Sequence, residues 1–371
     1  MCDRSHRSAC ILLLVYAVIV PFGVIAYPSS VFAQIGHEQE HPLPGATSPE
    51  TTLRAFGAVE WAASQLREVP NSFSLGQLSL FVTSNLTESV SVLAEIVLEG
   101  HGTPNTQVVT DLERLQLTFR LNDFFNISAG RYHSGIGFYN AAFHHGTYFE
   151  IPIGRPRVFK FEDDGGVLPI HELGVTVRGV VPHTGSSLRY VAEVANGRVW
   201  TPVAEEGTSE RGPDANDAKS TNVGVSYRPE RWRGFEVGTS FYRDTIFQTA
   251  RSAVDHNIAA IYAVYRTPST ELMAEWLRLT HVTEGSTYHN DGGYVQASKA
   301  WGKLRPYYRF DRLAINPATP FIGAIGSYKA NIVGLRIDPV KWVGLKAQYE
   351  RTDESGQHGV NGVRTQLVFV F

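Results

Sequence analysis

Apolar and polar residues alternate along most of the chain from Thr52 onward, in segments of about ten residues that are separated by turns. In LERLQLTFRL, every second residue from Leu115 to Leu121 is apolar, and the residues between them are polar or charged. A period of two residues is typical of β-strands, whose side chains point alternately to the two faces of a sheet. The chain contains sixteen such segments, and none of them has a convincing helical period.

The connections between the predicted strands are expected to alternate in length. Those after the even-numbered strands are short turns, such as ND at Asn122, PS at Pro268 and GK at Gly302, and those after the odd-numbered strands are expected to be longer. An even number of strands, short turns at one rim and long loops at the other are typical of outer-membrane barrels. Soluble β-sandwiches use strands of about five residues, and a sixteen-stranded barrel has a lumen too wide for side chains to fill.

The predicted fold is therefore all-β, a transmembrane antiparallel up-and-down β-barrel of about 16 strands at residues 52–371. Residues 1–33 combine a basic start, the apolar run ILLLVYAVIV and a small residue at VFA, which predicts a cleaved signal peptide. A transmembrane anchor is the alternative, but the apolar run is short for a helix that spans a bilayer. Residues 34–51 are polar and contain several prolines, so they are interpreted as a linker.

The amino-acid composition excludes several kinds of site and partner. Cleavage of the signal would remove Cys2 and Cys10, the two cysteines of the chain, which excludes disulfides, thiolate zinc sites and cysteine nucleophiles. The formal net charge is −3, and this mild acidity argues against a nucleic-acid partner, which would need a basic face. No cofactor and no metal site are predicted.

The chain ends within its last alternating segment, TQLVFVF. In a closed barrel the last strand forms hydrogen bonds with the first, so the chain can end flush with the rim. The alternation places Phe369 and Phe371 toward lipid, and Arg364 and Gln366 toward the lumen.

A signal peptide, sixteen strands and a terminal strand that closes on phenylalanine resemble the bacterial outer-membrane porins. The resemblance implies a bacterial outer-membrane location and a water-filled channel for passive diffusion of small hydrophilic solutes. It also implies that Phe369 and Phe371 belong to the signal read by the barrel-assembly machinery, that the barrel contacts outer-membrane lipid and lipopolysaccharide, and that the chain forms a homotrimer. The phosphate-type and other substrate-specific porins are similar in general plan only. A selective channel for an anionic or sugar-like solute is the alternative function.

The longest predicted connection, residues 134–169, follows the fifth strand. Long loops are usually functional or disordered, and its seven aromatic residues argue against disorder because they need a surface to pack on. The aromatic residues are Phe138, Tyr139, Phe143, Tyr148, Phe149, Phe159 and Phe161. In the porins that this chain resembles, the corresponding loop folds into the lumen and narrows it. Two placements stay open, an inward-folded constriction loop and a loop packed over the outer mouth.

Charged residues on this loop and on the predicted inner face are the candidates for solute selection, since opposite charges in a narrow pore create a local field. The loop candidates are Arg155, Arg157, Lys160, Glu162, Asp163 and Asp164. The wall candidates are Arg114, Arg120, Arg178, Arg305 and Arg309, with Arg189, Lys346 and Arg364, against Glu95, Glu172, Glu193, Glu236 and Glu350. Neither sign dominates, and each residue could instead form a wall salt bridge.

Histidines in the same loop raise the possibility of catalysis. His144 and His145 share the loop with Asp163 and Asp164, and His133 and His171 lie at its two ends, a set whose side chains are of the types used in metal sites and acid–base pairs. No HExxH or GxSxG motif supports this hypothesis. The chain is therefore predicted not to be an enzyme.

Overall fold

The computed structural model describes residues 49–66, 71–100, 108–143, 146–162, 164–198, 217–249, 252–354 and 356–371. Sixteen strands follow one another along these residues. They are β1 (Glu50–Ser64), β2 (Ser72–Thr87), β3 (Val90–Gly100), β4 (Val108–Asn122), β5 (Phe125–His133), β6 (His171–His183), β7 (Ser186–Asn196), β8 (Lys219–Pro229), β9 (Phe235–Thr249), β10 (Ser252–Arg266), β11 (Thr270–Thr283), β12 (Ser286–Lys299), β13 (Leu304–Ala314), β14 (Tyr328–Val340), β15 (Val343–Glu354) and β16 (Gln357–Val370).

Every strand pairs antiparallel with its neighbours in sequence, and β16 pairs with β1 to close the barrel. The closing register runs from Phe56 opposite Val370 to Ser64 opposite Gly362. Closure leaves no strand edge, so the backbone groups of the wall can all be satisfied within a bilayer. The predicted sixteen-stranded antiparallel barrel is confirmed.

The alternation of side chains along each strand matches the two faces of the wall. On β8, Val223 and Val225 are exposed on the outer surface, whereas Asn222 and Ser226 point inward and are buried. This arrangement is the inverse of a soluble protein and suits a wall with lipid outside and polar groups inside.

The lengths of the connections between strands differ from the prediction in one respect. The turns after the even-numbered strands are short, and we call their end of the barrel the short-turn rim. The connections after β9, β11 and β15 are short as well, since β11 ends at Thr283 and β12 begins at Ser286. The prediction of long connections after all odd-numbered strands was therefore wrong. β11 and β12 remain paired beyond the apolar band, where polar residues such as Arg278 and Asp291 lie opposite each other. The turn between them is tight and contains Gly285 at φ 85°.

Helical structure is sparse in the described residues. One α-helix, α1 (Gly137–Ala142), lies in the connection after β5, and a 3-10 turn at Arg157–Phe159 follows in the same connection. Among the described residues, no helix has the length and hydropathy that a membrane-spanning helix needs. The predicted signal peptide and residues 34–48 of the predicted linker lie outside the described residues, and the end of that linker belongs to β1.

The inner face is less polar than the sequence predicted. On β10 and β11, Ile258, Met273 and Leu277 point inward and are almost fully buried in an apolar cluster. The same cluster contains Phe138 and Phe159 from the connection between β5 and β6. The apolar inward positions therefore pack against a segment of the chain rather than facing water.

Candidate functional site: the loop after β5 and the inner wall

The segment between β5 and β6, residues 134–170, begins with α1, which is fixed to the wall by acidic side chains. The carboxylate of Glu275 on β11 accepts hydrogen bonds from the backbone N–H groups of Phe138 at 2.6 Å and Tyr139 at 2.8 Å. Tyr294 on β12 donates its hydroxyl to the same carboxylate at 2.6 Å. On β7, Glu193 accepts the backbone N–H of Gly135 at 2.8 Å. The bonds to Phe138 and Tyr139 satisfy backbone donors in the first turn of α1, which have no partner within the helix.

The middle of the segment is held by cationic and amide side chains from β14 and β15. Arg336 donates to the backbone carbonyls of Tyr148 at 2.6 Å and Glu150 at 3.0 Å. Lys346 donates to the carbonyl of Thr147 at 2.6 Å. On the same strand as Lys346, Gln348 accepts from the backbone N–H of Ile153 at 2.9 Å and donates to its carbonyl at 3.3 Å. An irregular backbone at this depth needs such partners, because its own ladder bonds are missing.

The segment reaches toward the short-turn rim. The hydroxyl of Tyr148 donates to the carbonyl of Lys341, which lies in the turn between β14 and β15. Tyr148 also belongs to an apolar cluster with Phe56 and Val368, which come from the two strands that close the barrel. Contacts of one segment with β7, β11, β14, β15, β16 and β1 therefore span much of the inner wall.

A buried ionic network holds the end of the segment where it joins β6. Glu162 accepts hydrogen bonds from the backbone N–H groups of Ile170 and His171, and its second oxygen lies 3.4 Å from Nδ1 of His171. Nε2 of His171 lies 2.7 Å from the carboxylate of Glu113. Burial alone would raise the pKa of the Glu162 carboxyl, but the hydrogen bond and charge of His171, with the charge of Arg198, hold that pKa below its ordinary value.

The six charged loop residues singled out from the sequence do not form one group. Arg155 lies against the ring of Phe161 at 4.3 Å and donates to backbone carbonyls of its own segment, so, like Glu162, it fixes the loop. Arg157 pairs with Glu354 on β15 at 3.2 Å. The remaining three differ in environment: Lys160 donates to the carbonyl of Asp164, Asp164 is exposed, and Asp163 lies outside the described residues.

Three of the candidate wall arginines are buried. Arg114 pairs with Glu95 at 2.7 Å. Arg305 donates to the carbonyl of Pro268 at 2.7 Å, in the turn between β10 and β11. Arg309 donates to the loop carbonyl of Gly154 at 2.7 Å. These three guanidinium groups brace the wall, a turn and the loop, and they present little charged surface to the lumen.

Two other inward arginines, Arg178 and Arg228, are more exposed than their acidic partners. The side chain of Arg178 on β6 is 40% exposed, whereas that of Glu193, 3.2 Å away, is 3% exposed. On β8 and β9, Arg228 is 28% exposed and its partner Glu236 is 5% exposed. Arg120 is half-buried on β4, at the level of Arg178, because both are register partners of Asn126 on β5. In both pairs the guanidinium group is accessible and the carboxylate is buried, so the accessible charge of this part of the wall is positive.

The histidines have structural contacts in the described residues. Nδ1 of His133 lies 3.3 Å from the carbonyl of Asn140, and its ring packs against the ring of His171 at 4.8 Å. In the part of the chain that the structure describes, no three His, Cys, Asp or Glu residues are grouped so that they could hold a metal ion. His144 and His145 lie outside the described residues, so the catalytic hypothesis that includes them is not tested by these contacts.

The C-terminal residues complete the wall. Phe371 exchanges two backbone hydrogen bonds with Ala55, at 2.9 and 3.0 Å, and its side chain is exposed on the outer surface. The ring of Phe369 lies over Gly57, where a Cβ atom would be 2.6 Å from the ring. The first and last strands thus meet with glycine opposite phenylalanine, and a larger residue at Gly57 would displace that ring.

Sequence reasoning missed the residues that clamp the loop. Glu275 and Arg336 resemble ordinary inward-facing charges in an alternating strand, and only the loop backbone beside them shows their role. One signal was available: Glu275 lies between the apolar residues Met273 and Leu277 on the inward face of β11. A buried carboxylate between two apolar neighbours must have polar partners.

Comparison with known proteins gives similarity in structure alone. No family model matches the chain, and no curated protein matches it in sequence. Among solved structures, the anion-selective porin from Comamonas acidovorans is 12% identical over 87% of this chain and 100% of its own, with a TM-score of 0.58. OmpF of Salmonella typhi, in complex with daunomycin, is 12% identical over 86% of this chain and 97% of its own, with a TM-score of 0.60.

The chain has the fold of the bacterial outer-membrane porins. A third structure with this porin fold is OmpT, an outer membrane protein of Vibrio cholerae in a trimer form. It is 10% identical over 87% of this chain and 100% of its own, with a TM-score of 0.53. At these identities the likeness extends to the barrel and its strand order.

Proposed function

We propose that this chain is a channel of the bacterial outer membrane, exported with a cleaved signal peptide, through which small hydrophilic solutes diffuse passively. The observation that carries the proposal is a closed sixteen-stranded barrel whose inner face presents accessible charged side chains such as Arg178 and Arg228. Such a barrel is wide enough to leave an aqueous path, and charged groups line that path at low cost only if water reaches them. The protein performs no chemical reaction in this account.

The loop after β5 narrows the channel by folding inward. This part of the proposal is supported by its hydrogen bonds with inward-facing side chains of β7, β11, β14 and β15, and by the contact of Tyr148 with the short-turn rim. The apolar cluster joins the loop to β9–β13, so the remaining path lies away from this part of the wall. We further propose a homotrimer, in line with the trimer form of OmpT.

Swelling of liposomes tests the channel function. Vesicles that contain the purified mature protein should swell in an iso-osmotic solution of a small sugar, at a rate that falls as the sugar becomes larger. Vesicles with heat-denatured protein are the control. If vesicles with correctly folded barrels swell no faster than empty vesicles, the barrel has a structural or adhesive role instead.

A preference for anions is the second candidate function, and the exposure of the ion pairs favours it. In the pairs Arg178–Glu193 and Arg228–Glu236, the guanidinium is accessible and the carboxylate is covered. A permeating anion would therefore meet positive charge along this wall. The sugar-like alternative has less support, since the loop aromatics Tyr139, Phe143 and Phe159 are buried and offer no open track.

Reversal potentials test this preference. Wild-type channels in a KCl gradient should be selective for chloride, and the double variant Arg178→Gln, Arg228→Gln should shift toward cations because Glu193 and Glu236 lose their cover. The matched control, Arg312→Gln with Lys329→Gln, removes the same charge from the outer surface and should leave the potential unchanged. The shift should shrink at high salt, where the screening length is about 3 Å. A wild-type channel that prefers potassium would contradict the anion assignment.

A further inference from the structure

A small apolar patch lies on the inner face of the barrel, where the first and last strands meet. Phe56 on β1 and Val368 on β16 are buried there beneath Tyr148 of the loop. Two rings at the margin of this patch, Phe81 on β2 and Phe149 on the loop, are only partly buried. We call Phe56, Phe81 and Phe149 the ring patch. Because its three members lie inside the barrel, the uncovered parts of Phe81 and Phe149 face the lumen and not the lipid.

This exposure distinguishes the ring patch from the larger apolar cluster of the interior. In that cluster the loop rings of Phe138 and Phe159 are 4% and 0% exposed, so the wall covers them completely. In the ring patch, the centroids of Phe56 and Phe149 are 5.2 Å apart and their planes are tilted by 57°. Partly uncovered rings on a concave surface are typical of sites that bind the apolar part of a ligand.

An arginine lies beside these rings. Arg54 is the inward residue that precedes Phe56 on β1, and it is directly opposite Phe81 on β2. Opposite residues in an antiparallel pair have Cβ atoms about 5 Å apart, and successive inward residues of one strand are about 7 Å apart. The side chain of Arg54 is exposed, and it forms no ion pair among the residues that the structure describes.

The other charges at the level of Arg54 neutralise each other within the wall. Phe81 is opposite Glu95 on β3, and Glu95 is opposite Arg114 on β4. Glu95 and Arg114 form a buried ion pair at 2.7 Å. The guanidinium of Arg114 lies 5.2 Å from the centroid of the Phe81 ring, so this pair also supports the ring. In this row of four inward residues, Arg54 therefore supplies the charge that a ligand can reach.

We propose that the ring patch and Arg54 form a binding site for a small aromatic carboxylate, of which benzoate is the simplest. This inference rests on the proposed channel function and names a class of solute for it. The ring of the solute lies on Phe81 and Phe149, and its carboxylate accepts hydrogen bonds from Arg54. Arginine binds a carboxylate through two parallel charge-assisted hydrogen bonds. Contact between aromatic rings adds stabilisation beyond the apolar area that it buries.

The position of this site along the channel suits a solute in transit. β1 begins at the short-turn rim with Glu50, and Arg54 follows four residues later. Tyr148, which covers the buried part of the patch, donates to the carbonyl of Lys341 in a turn of the same rim. A solute that enters at the opposite rim therefore meets the ring patch shortly before it leaves the barrel.

Equilibrium dialysis with radiolabelled benzoate tests the proposal on folded, detergent-solubilised barrels. The wild type should bind benzoate saturably, and Arg54→Gln should bind it about tenfold more weakly because the charge is lost. Phe81→Leu keeps an apolar side chain but removes the ring, and should weaken binding about threefold or more. The matched controls Arg243→Gln and Phe241→Leu change exposed residues on the outer face of β9 and should bind like the wild type.

Competition separates an aromatic site from a general anion site. Unlabelled benzoate should displace the label at concentrations about tenfold lower than acetate, which has the carboxylate without the ring. Three outcomes would overturn the proposal: no saturable binding to the wild type, equal affinity of Arg54→Gln and the wild type, or displacement by acetate as effective as by benzoate. Dialysis measures binding without transport, whereas liposome swelling reports the channel. Failure of the aromatic site alone would leave vesicle swelling intact, and failure of the channel function would abolish swelling whatever dialysis shows.

Discussion

Replacing Glu275 with glutamine is expected to release the start of the loop and to increase the current noise of the open channel. The carboxylate accepts two loop N–H groups and the hydroxyl of Tyr294, and an amide offers a single acceptor oxygen in its place. At least one buried donor would then lack a partner, at a cost of about 1–3 kcal/mol. The loop segment should also become accessible to protease in the folded barrel.

The control for this experiment is Glu95→Gln. Glu95 is equally buried, but it bonds Ser79 and Arg114 on the wall and has no contact with the loop among its hydrogen bonds. The control should lower the thermal stability of the barrel without changing current noise or protease sensitivity of the loop. Quiet Glu275→Gln channels with a resistant loop would contradict the assignment of Glu275 as the loop clamp.

Deleting Phe371 is expected to reduce the amount of assembled barrel in the outer membrane strongly, with little effect on the channels that do assemble. The deletion removes both backbone hydrogen bonds with Ala55 and an aromatic side chain that the porin resemblance assigns to the assembly signal. The residue is far from the accessible charges of Arg178 and Arg228, so conductance should be unchanged. The measurement is the heat-modifiable, folded fraction in isolated outer membranes.

A substitution separates the two roles of this residue. Phe371→Ala keeps the backbone bonds with Ala55 and removes only the ring. Assembly should be impaired in this variant too if the ring is recognised, and should be normal if only the closing bonds matter. Wild-type levels of the deletion variant would show that the terminal residue contributes to neither step.

The sequence was sufficient to predict the wall, and the reason is local. Apolar and polar side chains alternate along each strand because one of its faces meets lipid. The period of two residues is therefore visible in a single segment such as LERLQLTFRL, without knowledge of the strands that pair with it. The short connections after β9 and β11 were missed because the strands of these hairpins extend beyond the apolar band. Both of their faces are polar there, so the sequence has no hydrophobic period that would predict a strand.

The interior depended on contacts between distant parts of the chain. Ile258 and Leu277 are apolar residues at inward positions, where the alternation predicts polar ones. Their position is explained by the apolar cluster that they form with Phe138 and Phe159 of the loop. The acidic and basic residues that the sequence predicts to face inward are similar in number, so the sequence alone predicted no dominant sign of charge for the inner face. The positive wall emerges from register, which places Arg120 and Arg178 at one level, and from the burial of Glu193 behind Arg178.

Current through single molecules in a planar bilayer tests the central claim most directly. The purified mature protein, added to a salt-bathed membrane, should produce discrete steps of current that are linear with voltage and that increase with KCl concentration. The reversal potential in a KCl gradient should have the sign of chloride selectivity. A membrane that stays sealed in the presence of folded, inserted barrels would contradict the account.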